Sequence, residues 1–134
     1  MTDQKDRHAL GLEVMKRLAG GDPTALHAEI TSMDDVAPDL SRFVIDFAFG
    51  EVYSRPGLEP QRRHLVTLTS LMTLGGCDTQ LRVHLGIALN LGVTPQEIVE
   101  TALHVCVYAG FTRGITAMRI VQSVFQERGI TSVD

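Results

Sequence analysis

Three short segments carry most of the information in this sequence: Tyr53-Ser-Arg-Pro-Gly-Leu58, Leu81-Arg-Val-His84 and Val107-Tyr-Ala-Gly110. They place an arginine, a histidine and a tyrosine in a chain that otherwise has the apolar spacing of plain amphipathic helices. A small globular domain does not need these side chains for packing. We therefore expect the three segments to contribute to a functional site on a helical scaffold.

Length and composition fit one helical domain that spans residues 1–134. The chain is 44% hydrophobic and 21% charged, which is ordinary for a soluble globular protein, and only 5% of its residues are aromatic. Because sheets are usually richer in aromatic and β-branched residues, this composition favours an all-α fold. The net charge of −4 provides no basic surface for phosphates, so nucleic acid is not an expected partner.

Targeting and metal signals are weak in this sequence. Its start, Met1-Thr-Asp-Gln-Lys-Asp-Arg7, is polar, and no span of about 18 apolar residues follows. We therefore expect a cytoplasmic protein without a membrane partner, in which Cys77 and Cys106 stay reduced. No cysteine, histidine or carboxylate cluster has metal-ligand spacing, so no metal site is expected. His8 and His27 lie in polar stretches and are expected to face solvent.

Glycine and proline signals divide the chain into roughly six helices. The pair Gly75-Gly76 ends one of them, and Asp78 is expected to cap the next. Thr94-Pro-Gln-Glu97 is a capping box with proline at the first helical position, which is a specific start signal. The predicted helices cover residues 3–18, 37–53, 59–74, 79–90, 94–109 and 112–128.

Two of these helices are unusually apolar for a small monomer. Residues 65–74 and 98–109 are apolar or small on most sides. A helix that is apolar all round has to be covered all round. We therefore expect part of that cover to come from a second copy of the chain.

The helix around His84 carries the first candidate site. Helical spacing places Gln80, His84, Ile87 and Leu91 on one face, and Cys77 joins them if the helix begins early enough. A histidine and a glutamine on the apolar face of a buried helix need hydrogen-bond partners. The pattern fits either a core histidine bonded to a carbonyl or a general acid/base, a role that suits an imidazole near neutral pH.

A second polar stripe follows the capping box. It contains Glu97, Thr101, His104 and Tyr108, and Glu100 is spaced to pair with His104. A solvated helix face is the simpler interpretation, especially for Glu97. Apolar side chains flank His104 and Tyr108, however, so these two are also candidates for lining a cleft.

Cationic residues near the second turn form a third group. Arg55 follows Tyr53 at a helix end, where its guanidinium suits either a carboxylate ligand or the last carbonyls of the helix. Arg62, Arg63 and His64 stand together at a helix start, where positive charge opposes the helix dipole. This placement favours contact with an anion or with an acidic neighbour.

The ordered motifs of this chain resemble the γ-carboxymuconolactone decarboxylase family over about residues 11–128. The resemblance implies an all-α, alkylhydroperoxidase D-like domain that assembles into a trimeric or hexameric ring and uses no cofactor. It also implies removal of CO₂ from a γ-carboxylated lactone in the β-ketoadipate route of aromatic breakdown. The motif segments are Gly50-Glu-Val-Tyr-Ser-Arg-Pro-Gly-Leu58, Arg63-His-Leu-Val-Thr-Leu68, Leu81-Arg-Val-His84, Asn90-Leu-Gly-Val-Thr-Pro-Gln-Glu-Ile98 and Val107-Tyr-Ala-Gly110.

The implied lyase reaction needs cations for a small anionic substrate, donors for a developing oxyanion and an acid that protonates carbon. The chain offers residues of these kinds. The expected catalytic residues are His84, Tyr108 and His64, and the expected substrate-binding residues are Arg55, Tyr53, Gln80, His104 and Arg113.

Two departures leave alternative functions open. Alkylhydroperoxidase D uses a Cys-x-x-Cys motif, but Gln80 stands where the second cysteine would follow Cys77, which speaks against a dithiol mechanism. After Tyr-Ala-Gly the chain continues Phe111-Thr-Arg-Gly-Ile115, which brings Arg113 beside the expected pocket and leaves the substrate open. A thiol-based peroxidase using Cys77 and a non-catalytic oligomeric binding protein therefore remain alternatives.

Overall fold

The computed structural model describes residues 3–134, and every regular element in that range is helical. This confirms the predicted all-α fold. The helices are α1 (Gln4–Leu18), α2 (Thr24–Thr31), α3 (Pro38–Phe43), a π-helix (Val44–Tyr53), α4 (Pro60–Leu74), α5 (Asp78–Asn90), α6 (Pro95–Ala109) and α7 (Phe111–Glu127).

The chain divides into two compact units, one ending at Glu59 and one spanning Pro60–Asp134. In the first unit, α1 packs along the π-helix. Two glycines allow this close approach: a Cβ on Gly11 would overlap the Ile45 carbonyl oxygen, and a Cβ on Gly50 would lie 2.5 Å from the Arg7 carbonyl oxygen. The apolar side chains buried in this unit are Val14, Met15, Leu18, Leu26, Ile45 and Phe49.

The second unit is built from α4 to α7 around one apolar cluster. Leu68, Leu85, Ile98 and Ala102 are fully buried in it, and Val121 is nearly so. Gly75 and Gly76 join α4 to α5 with φ of 68° and 71°, a left-handed conformation that glycine adopts without strain. This turn brings α4 and α5 against each other, which matters for the site below.

The start of α6 agrees with the sequence prediction. Thr94 Oγ1 accepts the Glu97 backbone N–H at 3.1 Å, and Glu97 Oε2 accepts the Thr94 backbone N–H at 2.8 Å. The predicted capping box is thus confirmed. The other predicted helices from residue 59 onward agree with α4, α5 and α7 to within a residue or two.

Three local predictions were wrong. Helix α2 was missed because it is short and buries only Leu26, so it has little apolar periodicity. Residues 44–53 form a π-helix, although the whole stretch was predicted to be one α-helix. The sequence did not reveal this, because ten residues are too few to distinguish a π-helical period from an α-helical one. Asp78 is the first helical residue of α5 rather than its cap; Cys77 occupies the cap position, without a side-chain capping bond.

Candidate active site

The site is centred on a pair of histidines in the unit Pro60–Asp134. His64 lies on α4 and is 0% exposed, and His84 lies on α5 and is half-buried. His84 Nδ1 is 3.3 Å from His64 Nε2, and the two ring centroids are 5.5 Å apart. The imidazole of His64 is also hydrogen-bonded to the backbone of Pro60, one turn earlier on α4.

Burial determines the protonation of this pair. It lowers the pKa of His64 from 6.5 to about 4; the neighbouring His84 adds to the shift, and the bond with the Pro60 carbonyl opposes it. Burial alone lowers the pKa of His84 from 6.5 to about 4. Both rings are therefore neutral at pH 7, whereas the sequence had suggested an imidazole that titrates near neutral pH. A neutral ring beside another can donate one proton and accept one, which is the minimum needed for a proton relay.

Of the basic cluster at the start of α4, His64 is buried and contacts His84, whereas Arg62 is exposed. The expected contact of this cluster with an anion or an acidic neighbour stays a prediction. One neighbouring expectation needs correction. Gln80 is exposed rather than held on the buried face of α5. The sequence pattern did not predict the exposure of Gln80. Helical spacing determines which residues share a face, but it does not determine how wide the buried part of that face is.

Cys77 and Arg113 come together at the turn between α4 and α5. The Cys77 thiol donates to the Leu71 carbonyl at 3.3 Å, and Cys77 and Arg113 line a cavity of about 20 Å³. The guanidinium of Arg113 lies directly over Gly75, in the space that a Cβ there would occupy. Both cysteines of the chain, Cys77 and Cys106, are free thiols. The redox role of Cys77 and the substrate role of Arg113 stay predictions.

His104 and Tyr108 lie on the surface of α6. Their rings contact each other, with centroids 5.2 Å apart, and Tyr108 is 82% exposed. The Glu100–His104 ion pair that the spacing allowed is not formed among the described residues. Both side chains are exposed, and their assignment to the site stays a prediction.

Tyr53 and Arg55 belong to the unit that ends at Glu59. Tyr53 is the last residue of the π-helix and stacks on Phe49, with ring centroids 5.3 Å apart. Arg55 follows the end of that helix and is exposed, and its backbone N–H donates to the Val52 carbonyl. Their roles as substrate ligands stay predictions.

Sequence reasoning also missed the polar contact of His8. His8, expected in solvent, has its Nδ1 2.7 Å from Oδ1 of Asp46, although the His8 side chain stays partly exposed. The pair joins α1 to the π-helix across 38 residues, so no local spacing could have revealed it. Within residues 3–134, no three histidine, cysteine or carboxylate side chains are grouped to hold a metal ion. The same residues include no helix that is long and apolar enough to cross a bilayer.

Comparison with known proteins gives the family. A model of the carboxymuconolactone decarboxylase family matches residues 38–123. A 4-carboxymuconolactone decarboxylase from Acinetobacter baylyi is 38% identical over 97% of this chain and 94% of its own length. A nitrosuccinic acid decarboxylase from Metarhizium robertsii is 37% identical over 63% of this chain and 58% of its own. An uncharacterised 15.0 kDa protein from Paracoccus denitrificans is 29% identical over 78% of this chain and 79% of its own length.

The matched range includes both histidines of the buried pair, and it includes Arg55, Cys77, Tyr108 and Arg113. The two relatives with a named reaction are both decarboxylases, which supports a carboxy-lyase activity. The chain therefore belongs to the carboxymuconolactone decarboxylase family.

Proposed function

We propose that this protein removes CO₂ from a γ-carboxylated lactone such as 4-carboxymuconolactone, or from a related anionic lactone or keto acid, without a cofactor. The family match and the named reaction of the Acinetobacter relative support a lyase of this kind. Such an enzyme would act in the cytoplasm in aromatic breakdown by the β-ketoadipate route. The observation that carries the proposal is the buried contact between His64 and His84.

We assign the protons of the pair as part of this proposal. In this assignment Nε2 of His64, which faces His84, is an acceptor, and the other ring nitrogen of His64 carries hydrogen. His84 then donates through Nδ1–H, which leaves its Nε2 as the nitrogen that exchanges a proton with substrate.

The reaction needs only electron flow and one proton transfer. The bond between the γ-carbon and its carboxylate breaks, CO₂ leaves, and the electron pair enters the conjugated lactone. The resulting enolate takes a proton at carbon. A bound carboxylate next to His84 favours the imidazolium by Coulomb attraction, so substrate binding raises the proton affinity that burial had lowered. Arg55 and Arg113 supply cations for the substrate carboxylates, and Tyr108 and His104 supply further donors.

Self-association is part of the proposal. The exposed face of α6 carries Leu103, Val107 and Tyr108, and Phe111 follows at the start of α7. These side chains are between 48% and 82% exposed. Contiguous apolar surface of this kind typically marks an interface. A homotrimer or homohexamer would cover it, in line with the apolar character of α6 in the sequence.

The direct test is incubation of the purified protein with 4-carboxymuconolactone, without added metal, while CO₂ release is followed. We expect catalytic release of one CO₂ per lactone consumed. Release at the uncatalysed rate would rule out this substrate. A parallel assay of dithiol-dependent peroxide reduction separates the thiol alternative: strong peroxidase activity that is lost in Cys77→Ser would favour it over the lyase.

A further inference from the structure

The continuous helix formed by α3 and the π-helix leaves a row of large apolar side chains uncovered. Where the π-helix packs along α1, Ile45 and Phe49 are buried. Leu40, Phe43 and Phe47 recur at helical spacing along the same helix, and they are between 40% and 61% exposed. We call these three side chains the phenylalanine row. Adjacent exposed side chains of this size typically mark a contact surface.

A second uncovered surface lies on α6 and α7. Cys106 and Gly114 bring these two helices close together, since a Cβ on Gly114 would overlap the Cys106 sulfur. Each helix contributes two exposed apolar side chains that are one turn apart, so the four lie on adjoining helices. We call this surface the α6–α7 face, and its members are Leu103, Val107, Phe111 and Ile115.

The phenylalanine row has an acidic surrounding. Asp34, Asp35 and Asp39 are exposed in the turn before α3 and at its start, and Arg42 is the cation of this segment. Arg42 pairs with Asp39 at 2.8 Å and lies over the Phe43 ring. Asp46 is buried and is not counted. Three carboxylates and one guanidinium therefore give this surface a charge of −2.

The α6–α7 face does not share that negative charge. Arg113, Arg119 and Glu100 are the charged residues between positions 100 and 126, which gives +1 with neutral histidine, and Arg119 follows Ile115 by one turn. Without Arg113, whose guanidinium lies over Gly75, the face is neutral. The whole sequence has the same asymmetry: residues 1–59 carry a net charge of −5 and residues 60–134 carry +1, which together give the −4 of the chain.

We propose that the phenylalanine row of one copy packs on the α6–α7 face of a second copy. Pairing two rows with each other would place −2 against −2, and like charges across an interface are costly. Pairing a row with a face covers both apolar surfaces without that repulsion. Because the two surfaces differ, the contact is heterologous, and such contacts generate a ring when the rotation between copies closes. The inference specifies how the chain self-associates, and it does not depend on the proposed reaction.

Mixing two dissociated variants tests this arrangement. Phe47→Glu interrupts the row and Val107→Glu interrupts the face, because a carboxylate buried without a partner disrupts an interface. By native mass spectrometry, we expect each variant alone to contain fewer chains than the wild type. An equimolar mixture should give a new species that contains both variants, since one intact row and one intact face remain. Val36→Glu is the matched control, because it places the same charge at an exposed valine outside the row and should keep the wild-type mass.

A mixed species also shows that both variants are folded, since each must present an intact surface. Leu40→Glu is a second row variant, and with Val107→Glu it should give the same mixed species. Circular dichroism of each variant alone should show wild-type helix content.

Three outcomes would overturn the proposal. If Phe47→Glu and Leu40→Glu both keep the wild-type mass, the row is not an interface. If folded row and face variants dissociate but form no mixed species, the two surfaces do not bind each other. A monomeric wild type at micromolar concentration would exclude either contact. Turnover is not measured, so a failed decarboxylation assay leaves this test unaffected.

Discussion

At the scale of the residue, the environment of His64 and His84 changes the protonation of both imidazoles at neutral pH. An ordinary imidazole is partly protonated there, but burial lowers the pKa of both rings to about 4. Each ring therefore enters the proposed reaction neutral, and His84 gains its proton only next to an anion. His64 is 0% exposed and contacts His84, so its proposed part is to orient the His84 ring.

His84→Ala tests the role of the half-buried member of this pair. We expect turnover of a carboxylated lactone to fall by about 10²-fold or more, since a general acid/base contributes at least that much. His27→Ala, at an exposed histidine of α2, is the control and should keep wild-type turnover. Near-normal turnover in His84→Ala would make His84 a core residue that only packs against α4.

Acid stability provides a second test at this scale. The folded pKa of about 4 lies below the ordinary 6.5, so the unfolded chain takes up protons first as the pH falls. The stability that the neutral pair contributes is full above about pH 6.5 and is lost between about 6.5 and 4. We expect denaturant unfolding of His84→Gln to show a smaller loss over this window than the wild type. Parallel curves for both proteins would mean that the pair is not buried as neutral rings.

Arg55 and Arg113 are the two arginines that we proposed as ligands of a substrate carboxylate. Removing the partner of a desolvated carboxylate typically costs about 2–5 kcal/mol. We expect Arg55→Ala to lower kcat/KM strongly with little change in thermal midpoint, because Arg55 is exposed beyond the end of the π-helix. Measuring kcat/KM for Arg55→Ala and Arg113→Ala on one lactone separates the two. A large loss only in Arg113→Ala would mean that the segment Phe111–Ile115 has rebuilt the pocket.

At the scale of the element, the contact between α1 and the π-helix depends on the absence of two side chains. Gly11→Ala places a methyl group against the Ile45 carbonyl oxygen, and a backbone atom cannot rotate away. We expect a loss of about 1–3 kcal/mol in the free energy of unfolding, measured by denaturant titration. Gly57→Ala is the control, since nothing lies within 4 Å of the added Cβ. Equal stability of the two variants would show that α1 can move to accommodate the added methyl group without a loss in the free energy of unfolding.

At the scale of the whole molecule, the exposed face of α6 should determine self-association. Val107 is 70% exposed at the centre of this face. We expect light scattering to show an oligomer for the wild type and smaller species for Val107→Glu, because a buried unpaired carboxylate disrupts an interface. Val36→Glu, at a valine between α2 and α3 that is 79% exposed, should leave the oligomer intact. A monomeric wild type at micromolar concentration would contradict the proposed ring.

The region that matches the family extends into both compact units. The family match spans residues 38–123 and so crosses the boundary at Glu59, although the chain packs as two compact units. A single domain over residues 1–134 stays a prediction.

The sequence by itself determined the features that depend on neighbours in the chain. Apolar periodicity and glycine signals predicted the helices from residue 59 onward to within a residue or two, and Thr94 and Glu97 predicted the capping box, because such bonds close within one helical turn. The ordered motifs predicted the family, and the family carries the all-α fold. His64, His84 and Arg113 were all identified as candidates from residue type and spacing alone.

Only the tertiary structure decided which of these residues meet. His64 and His84 are 20 positions apart, and their contact depends on how α4 folds back on α5 through Gly75 and Gly76. The same packing removes both rings from water and makes them neutral, which no local pattern encodes. His8 and Asp46 were missed for the same reason, since 38 residues separate them. Helical spacing fixes which side chains share a face, but burial and pKa depend on what the rest of the chain packs against that face.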